Sequence, residues 1–152
     1  MKQPVSDEWI VVMNSSAARV LTSTPEPHHP AEIAFEIEHP RQKPQDVMAD
    51  KPGRSFSSGA AGRRSALEPH GDLGHLQDVG FAKELIDRLE QHRQAGEFET
   101  LTLVASPRML GVMRDTMPPD LAQKVTRVIS RNFAALSIPM MQEKLSAVLA
   151  RH

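Results

Sequence analysis

Apolar residues arrive along this chain in three rhythms, and each predicts a different element. Two short runs are strongly apolar, Trp9 to Met13 and Leu101 to Val104. The first reads as the opening strand; the second, too short for a helix and rich in β-favouring side chains, predicts a buried, central strand. From Ala31 to Glu38 the rhythm alternates, with Ile33, Phe35 and Ile37 on one side and Glu32, Glu36 and Glu38 around the other. That period of two predicts a strand with one buried face. Asn14-Ser15-Ser16 reads as a turn, so Ala17 to Leu21 returns beside the first strand as a hairpin.

The third rhythm is helical. Over Asp72 to Gln94, a stripe of Leu76, Val79, Ala82, Leu85, Ile86 and Leu89 predicts the longest helix, with Phe81 widening it and Asp72 as its cap. Glu84 and Arg88, four apart, are placed to pair on its surface, and Gly96 is a natural terminator. After the run at Leu101, Ser106 reads as a cap and Pro107 as the first turn of a helix carrying Met109, Leu110, Met113 and Met117. Pro118-Pro119 ends it, and Asp120 to Gln123 reads as a short turn. Val125, Val128 and Ile129 within Lys124 to Phe133 predict an edge or final strand. Ser137 then caps a terminal helix in which Met140 or Met141, Leu145, Val148 and Leu149 pack.

Between these elements lie two irregular stretches. Thr22 to Pro30 holds three prolines, and Pro40 to Gly74 shows neither period. Loops of the second length bind something or remain disordered. The expected order is βββ, an irregular loop over about 40–74, then αβαβα: a single α/β domain over 1–152.

Composition narrows the chemistry more than it suggests any. The chain has no cysteine, so disulfides and thiolate catalysis are excluded. Its 18 Lys and Arg against 19 Asp and Glu give a formal charge of −1, without the global basic field of a nonspecific nucleic-acid binder. With Trp9 and five phenylalanines as its aromatics, a stacking platform for bases is poorly supported. No apolar run approaches the roughly 20 residues of a membrane span, and MKQPVSDEW does not read as a signal peptide. These features predict a cytoplasmic protein without membrane insertion.

No phosphate-binding glycine loop, dinucleotide fingerprint, zinc-protease helix or serine-hydrolase elbow occurs. Pro52-Gly53-Arg54-Ser55 joins a guanidinium and a hydroxyl on a flexible turn, a pairing able to hold phosphate, beside its plainer reading as a solvated turn. Glu68, His70, Asp72 and His75 are near in sequence, but histidines five apart do not define a ligand geometry, and no metal or cofactor is expected. His28-His29 reads as an exposed pair. Arg108 opens the helix after the buried Leu101 run, where α/β proteins often build ligand sites, although a salt bridge is its simpler role.

Several segments together resemble one bacterial family. They are Trp9-Ile-Val-Val-Met13 with Ala17-Ala-Arg-Val-Leu21, Asp50-Lys-Pro-Gly-Arg-Ser-Phe56, Ala66-Leu-Glu-Pro69 and Leu103-Val-Ala-Ser-Pro-Arg-Met-Leu-Gly111. The combination is similar to the host attachment proteins, and that family resembles the middle domain of archaeal and eukaryotic translation release factors. The resemblance implies a ribonuclease-H-like mixed sheet with flanking helices and a long central loop. In the release-factor domain that loop carries Gly-Gly-Gln to the peptidyl-tRNA ester; here the corresponding Ser58 to Ala66 has no glutamine. Peptide release does not carry over with the fold, because it depends on that glutamine and its glycine-permitted backbone.

Three functional readings follow. The first is a noncatalytic binding protein, acting on a macromolecular partner and influencing attachment to host cells directly or through that partner. The second is an RNA- or ribosome-associated protein in which Arg54, Arg63 and Arg64 meet the phosphate backbone. The third is a hydrolase with a pocket near Arg54, His70, Asp72 and Arg108. A homodimer is open to any of them through a sheet edge or the Met-rich terminal helix.

Overall fold

The computed structural model describes residues 8–39 and 69–151, of which 69–72 as backbone only. The first strand, β1 (Glu8–Met13), turns at Asn14 into β2 (Ala17–Leu21). Asn14 Oδ1 closes that turn by accepting from the amides of Ser16 and Ala17, each at 2.8 Å. Residues 22–32 connect to β3 (Ile33–Glu38), and within them Glu26 and His29 exchange backbone hydrogen bonds of 3.0 and 2.9 Å. The proline-rich connection is thus a compact turn, and His28-His29 is exposed on it.

Helix α1 (Pro69–Gln94) leads into β4 (Thr100–Ala105), α2 (Pro107–Thr116), the single turn α3 (Pro119–Ala122), β5 (Val125–Ser130) and α4 (Ile138–Leu149). The strands form one mixed sheet in the order β3-β2-β1-β4-β5. β1 pairs antiparallel with β2 and parallel with β4, and β4 pairs parallel with β5. The apolar run at Leu101 is therefore an interior strand, as its composition predicts, and the Trp9 run is its parallel neighbour at the centre of the sheet. β5 is an edge strand, one of the two roles its imperfect alternation allowed.

Two cores divide these residues by parity. On one face Trp9, Val11, Met13, Val20, Phe35, Leu101 and Leu103 meet α1 and α2 through Phe81, Leu85, Leu89, Met109 and Met113. On the other, Ile10, Val12, Leu21, Val104 and Ile129 meet α4 through Met141, Leu145, Val148 and Leu149. Met141 is the buried member of the Met140-Met141 pair. The caps behave as their residue types predict: Ser106 Oγ accepts from the Met109 amide at 3.4 Å, and Ser137 Oγ from that of Met140 at 3.3 Å. Gly96 takes φ +74° after α1, with Gly96 N–H donating to Arg93 O and Glu97 N–H to His92 O, the two bonds of a left-handed helix stop.

Four expectations need correction. Helix α1 begins at Pro69, so residues 69–74 are helical rather than the end of the loop; proline fits a first turn, and Asp72 lies inside the helix rather than capping it. Leu76 is 67% exposed and outside the core, because the stripe settles on the sheet only from Asp78 onward. Glu84 and Arg88 do not pair: Glu84 Oε1 meets His39 Nε2 at 2.7 Å, and the Arg88 guanidinium lies 4.3 Å from the centroid of Phe35. Thr102, on a strand read as strongly apolar, joins Glu8 and Arg127 in a polar network. Thr102 Oγ1 donates to Glu8 Oε2, and Arg127 Nη2 donates to the same oxygen at 2.7 Å.

Candidate binding cleft

The terminal helix positions the candidate site. Its apolar side is held to the sheet by Met141, Leu145 and Leu149, and its depth is fixed by one polar residue. Gln142, buried, accepts from the Ala31 amide at 2.6 Å and donates to the Ala31 carbonyl at 3.1 Å. Its amide thus satisfies both backbone groups of a buried peptide, which pins α4 against the 22–32 connection. Arg19 adds a second tie, donating from Nη1 to Leu136 O at 2.6 Å.

With the helix so fixed, Lys144, Ala147, Val148 and Arg151 fall at helical spacing along one flank. Opposite them runs the segment after β5. Arg131 extends the parallel ladder by one bond, its N–H to Ala105 O at 3.2 Å, and the chain then turns Phe133 inward. Between flank and segment lies an open cleft of about 280 Å³ lined by Arg131, Phe133, Lys144, Ala147, Val148 and Arg151. Phe133 and Val148, each 8% exposed, form an apolar floor. The exposed Arg131, Lys144 and Arg151 form the rim.

The electrostatics of that rim are unbalanced. Arg131 Nη1 donates to the Ser130 carbonyl at 3.1 Å, and among the described residues no carboxylate pairs with any of the three cations. From Ser130 to Arg151 the chain carries only these three cations and the single acid Glu143, which does not line the cleft. An apolar floor under unpaired guanidinium and ammonium groups can hold a partner that brings both hydrocarbon and negative charge.

The residues singled out from sequence lie elsewhere. Arg54, Ser55, Arg63, Arg64 and Glu68 fall outside the described residues. His70 and Asp72 sit in the first turn of α1, where only the backbone is described, and His75 is exposed one turn on. Arg108 stands at the start of α2 and reaches Asp78 on α1, Nη2 to Oδ2 at 2.8 Å. The arginine is 61% exposed and the aspartate fully buried, so this pair fastens one helix to another. Among the described residues no three histidines or carboxylates converge as metal ligands, and no helix is long and apolar enough to cross a membrane.

Sequence reasoning missed the cleft because its two walls come from separate segments. One signal was available: once the helix phase is set by Met141, Leu145 and Leu149, Lys144 and Arg151 align seven apart with Val148 between them.

Residues 9–145 match the family model described as "Protein required for attachment to host cells". The chain belongs to this family. The match takes in all five strands and the first three helices, and it ends within α4. The host-attachment chain is also similar to an uncharacterised protein, RP470, of Rickettsia prowazekii (strain Madrid E), 26% identical over 85 residues. That likeness spans a little over half of each protein, 55% of this chain and 57% of the relative.

Proposed function

We propose that this member of the host-attachment family is a noncatalytic binding protein that acts on a macromolecular partner and influences attachment through it, from the cytoplasm. One observation carries the reading: three cations that pair with no carboxylate among the described residues stand around an apolar floor, in a chain whose overall charge is −1. Unneutralised charge beside exposed hydrocarbon is how a small contact surface is built. Affinity capture from native bacterial lysate, using wild type and an Arg131→Glu/Lys144→Glu/Arg151→Glu variant with protein and RNA identified in parallel, tests it. The reading expects a protein recovered by wild type and lost with the variant. Recovery of nothing that the variant alters would sink it. Fractionation of cells with protease protection tests the location, and digestion of the protein on intact cells would overturn the cytoplasmic part.

A second reading is an RNA- or ribosome-associated protein related to the release-factor middle domain. A five-stranded mixed sheet with helices on both faces supports it, since that architecture is compatible with a ribonuclease-H-like fold. Its predicted phosphate contacts, Arg54, Arg63 and Arg64, lie outside the described residues. Recovery of ribosomes or RNA in the same capture, falling steeply with salt, would favour this reading over the first.

A further inference from the structure

We propose that the cleft between α4 and the segment after β5 takes an acidic peptide segment of the partner, seating one apolar side chain on Phe133 and Val148 beneath flanking carboxylates held by Arg131, Lys144 and Arg151. The inference rests on the reading of the chain as a partner-binding protein and names the chemistry of what is bound. Four features of the cleft select this occupant.

The rim selects the sign of charge. Arg131, Lys144 and Arg151 are the only cations between Ser130 and Arg151, and all three line the cleft. Among the described residues several other cations are matched, Arg93 with Glu90, Arg108 with Asp78 and Arg114 with Asp115. The rim gathers at one cleft three cations that have no such match among those residues and so has capacity for carboxylates; two of its members are guanidiniums, able to take a carboxylate through two parallel N–H donors.

The floor selects hydrocarbon. Phe133, Ala147 and Val148 offer no side-chain donor or acceptor, so a polar group seated there would lose its water bonds without replacement. The same floor disfavours a nucleic acid. Stacking a base needs an accessible aromatic face, whereas Phe133 is almost wholly buried and Arg131, Lys144 and Arg151 line the cleft with flexible arms rather than a second ring.

Size and shape select a side chain over a small molecule. The cleft, about 280 Å³, is open to solvent rather than closed over its contents as sites that bury most of a small ligand are. It suits one anchoring residue of a longer chain whose flanks stay at the surface. The arrangement, a dry centre with charged groups around it, is that of a protein contact at small scale.

The test uses the full chain, three fluorescein-labelled probes and NMR of the backbone amides. The probes are a peptide of sequence EEELEEE, its counterpart EEESEEE, and a single-stranded oligouridine RNA of similar charge. The expected result is saturable binding of EEELEEE, with shifts centred on Arg131, Phe133, Lys144, Val148 and Arg151. Affinity should fall about tenfold or more for EEESEEE, and by a similar factor in the Lys144→Glu/Arg151→Glu variant. Ala147→Leu, at an exposed helix position, fills the cleft without altering charge and should weaken EEELEEE while leaving EEESEEE unchanged. Equal binding of the leucine and serine peptides would overturn the apolar seat. Tighter binding of the RNA with the same shifts would overturn the peptide assignment, and so would no saturable binding of any probe. If the peptides fail while the cleft variant still loses its partner in the lysate capture, the chemistry named here is wrong and the binding reading stands. Failure of both would remove the reading itself.

Discussion

The two faces of the sheet are covered by helices that treat charge in opposite ways. On the α1 and α2 face four ion pairs commit charged groups to other residues of the chain. Arg108 meets Asp78, Arg93 meets Glu90, His39 meets Glu84 and His92 Nδ1 meets Glu97 Oε1 at 2.8 Å. His92 is further held by its ring, 5.2 Å from Phe35 and nearly parallel to it, with Trp9 on another side at 5.1 Å. On the α4 face, the polar groups that touch the core, Gln142 and Arg19, are likewise satisfied, but the rim beyond them carries three cations that meet no acid among the described residues. Internal pairing spends a charge on structure. Charge left over beside an apolar floor remains for something else, and that contrast is what separates the cleft from an ordinary solvated helix flank.

The largest effect that bears on this contrast concerns whether α4 is a core helix at all or a face awaiting a second subunit. Leu145 is fully buried among Ile10, Val12, Val104 and Ile129. Leu145→Asp should cost more than about 4 kcal/mol, since it opens a cavity and buries an unpaired charge. Loss of the native circular-dichroism signal in dilute buffer is the expected outcome. Leu76→Asp, on the exposed start of α1, should leave stability within about 0.5 kcal/mol. A folded, monomeric Leu145→Asp protein would instead make α4 an interface and reverse the comparison.

Next in size is Gln142→Leu. It keeps the volume of the side chain roughly constant but strands the amide and carbonyl of Ala31 in a buried setting. A loss of about 2–3 kcal/mol in urea unfolding is expected, at the upper part of the range for unsatisfied buried groups. The prediction sharpens the comparison because the same helix carries Lys144 and leads into Arg151. Their reversal to glutamate should leave the urea midpoint nearly unmoved, separating the groups that hold α4 from those it displays.

Arg108→Ala probes the opposite face. It leaves the carboxylate of Asp78 buried against α2 without its guanidinium, which for a wholly buried pair costs about 3–5 kcal/mol. Arg108 is mostly in water, which can take its place, so about 1–2 kcal/mol is the expected loss. A change below about 0.3 kcal/mol in thermal or urea unfolding would show that the pair fastens nothing and would return Arg108 to the set of residues free for a ligand.

These effects also mark where the sequence was legible. Phe35 and Ile37 fell inward and Glu36 and Glu38 outward because a period of two has only one solution once a face is buried. The strand at Leu101 and the caps at Ser106 and Ser137 followed from local chemistry acting over three or four residues. Asp78 and Gln142 were not legible, since the partner that makes a buried polar residue tolerable sits 30 positions away in one case and 111 in the other. The cleft was hidden for the same reason. Arg131 and Phe133 acquire meaning only when tertiary packing brings Lys144, Val148 and Arg151 across from them.

The smallest effect is a pH dependence, and its sign follows from geometry. Arg93 Nε and Nη2 each donate to a Glu90 carboxylate oxygen at 2.9 Å, a two-pronged bond one helical turn apart on α1. Hydrogen bonding to Arg93 holds the Glu90 carboxyl below its ordinary value of 4.5, against a smaller opposing effect of partial burial. A carboxylate whose folded value is depressed binds its proton more weakly in the native chain than in the unfolded one. It therefore contributes stability that is present above pH 4.5 and lost as the pH falls through the lower folded value. Glu90→Gln should remove that contribution, so that wild type and variant converge in acid and separate towards neutrality, with wild type the more stable. Urea midpoints measured from pH 3 to pH 7 check it. Curves that stay parallel across the window would show that the pair on α1 is as loosely held as the unpaired cations on α4, and the distinction between the two faces would then rest on Asp78 and the histidine pairs alone.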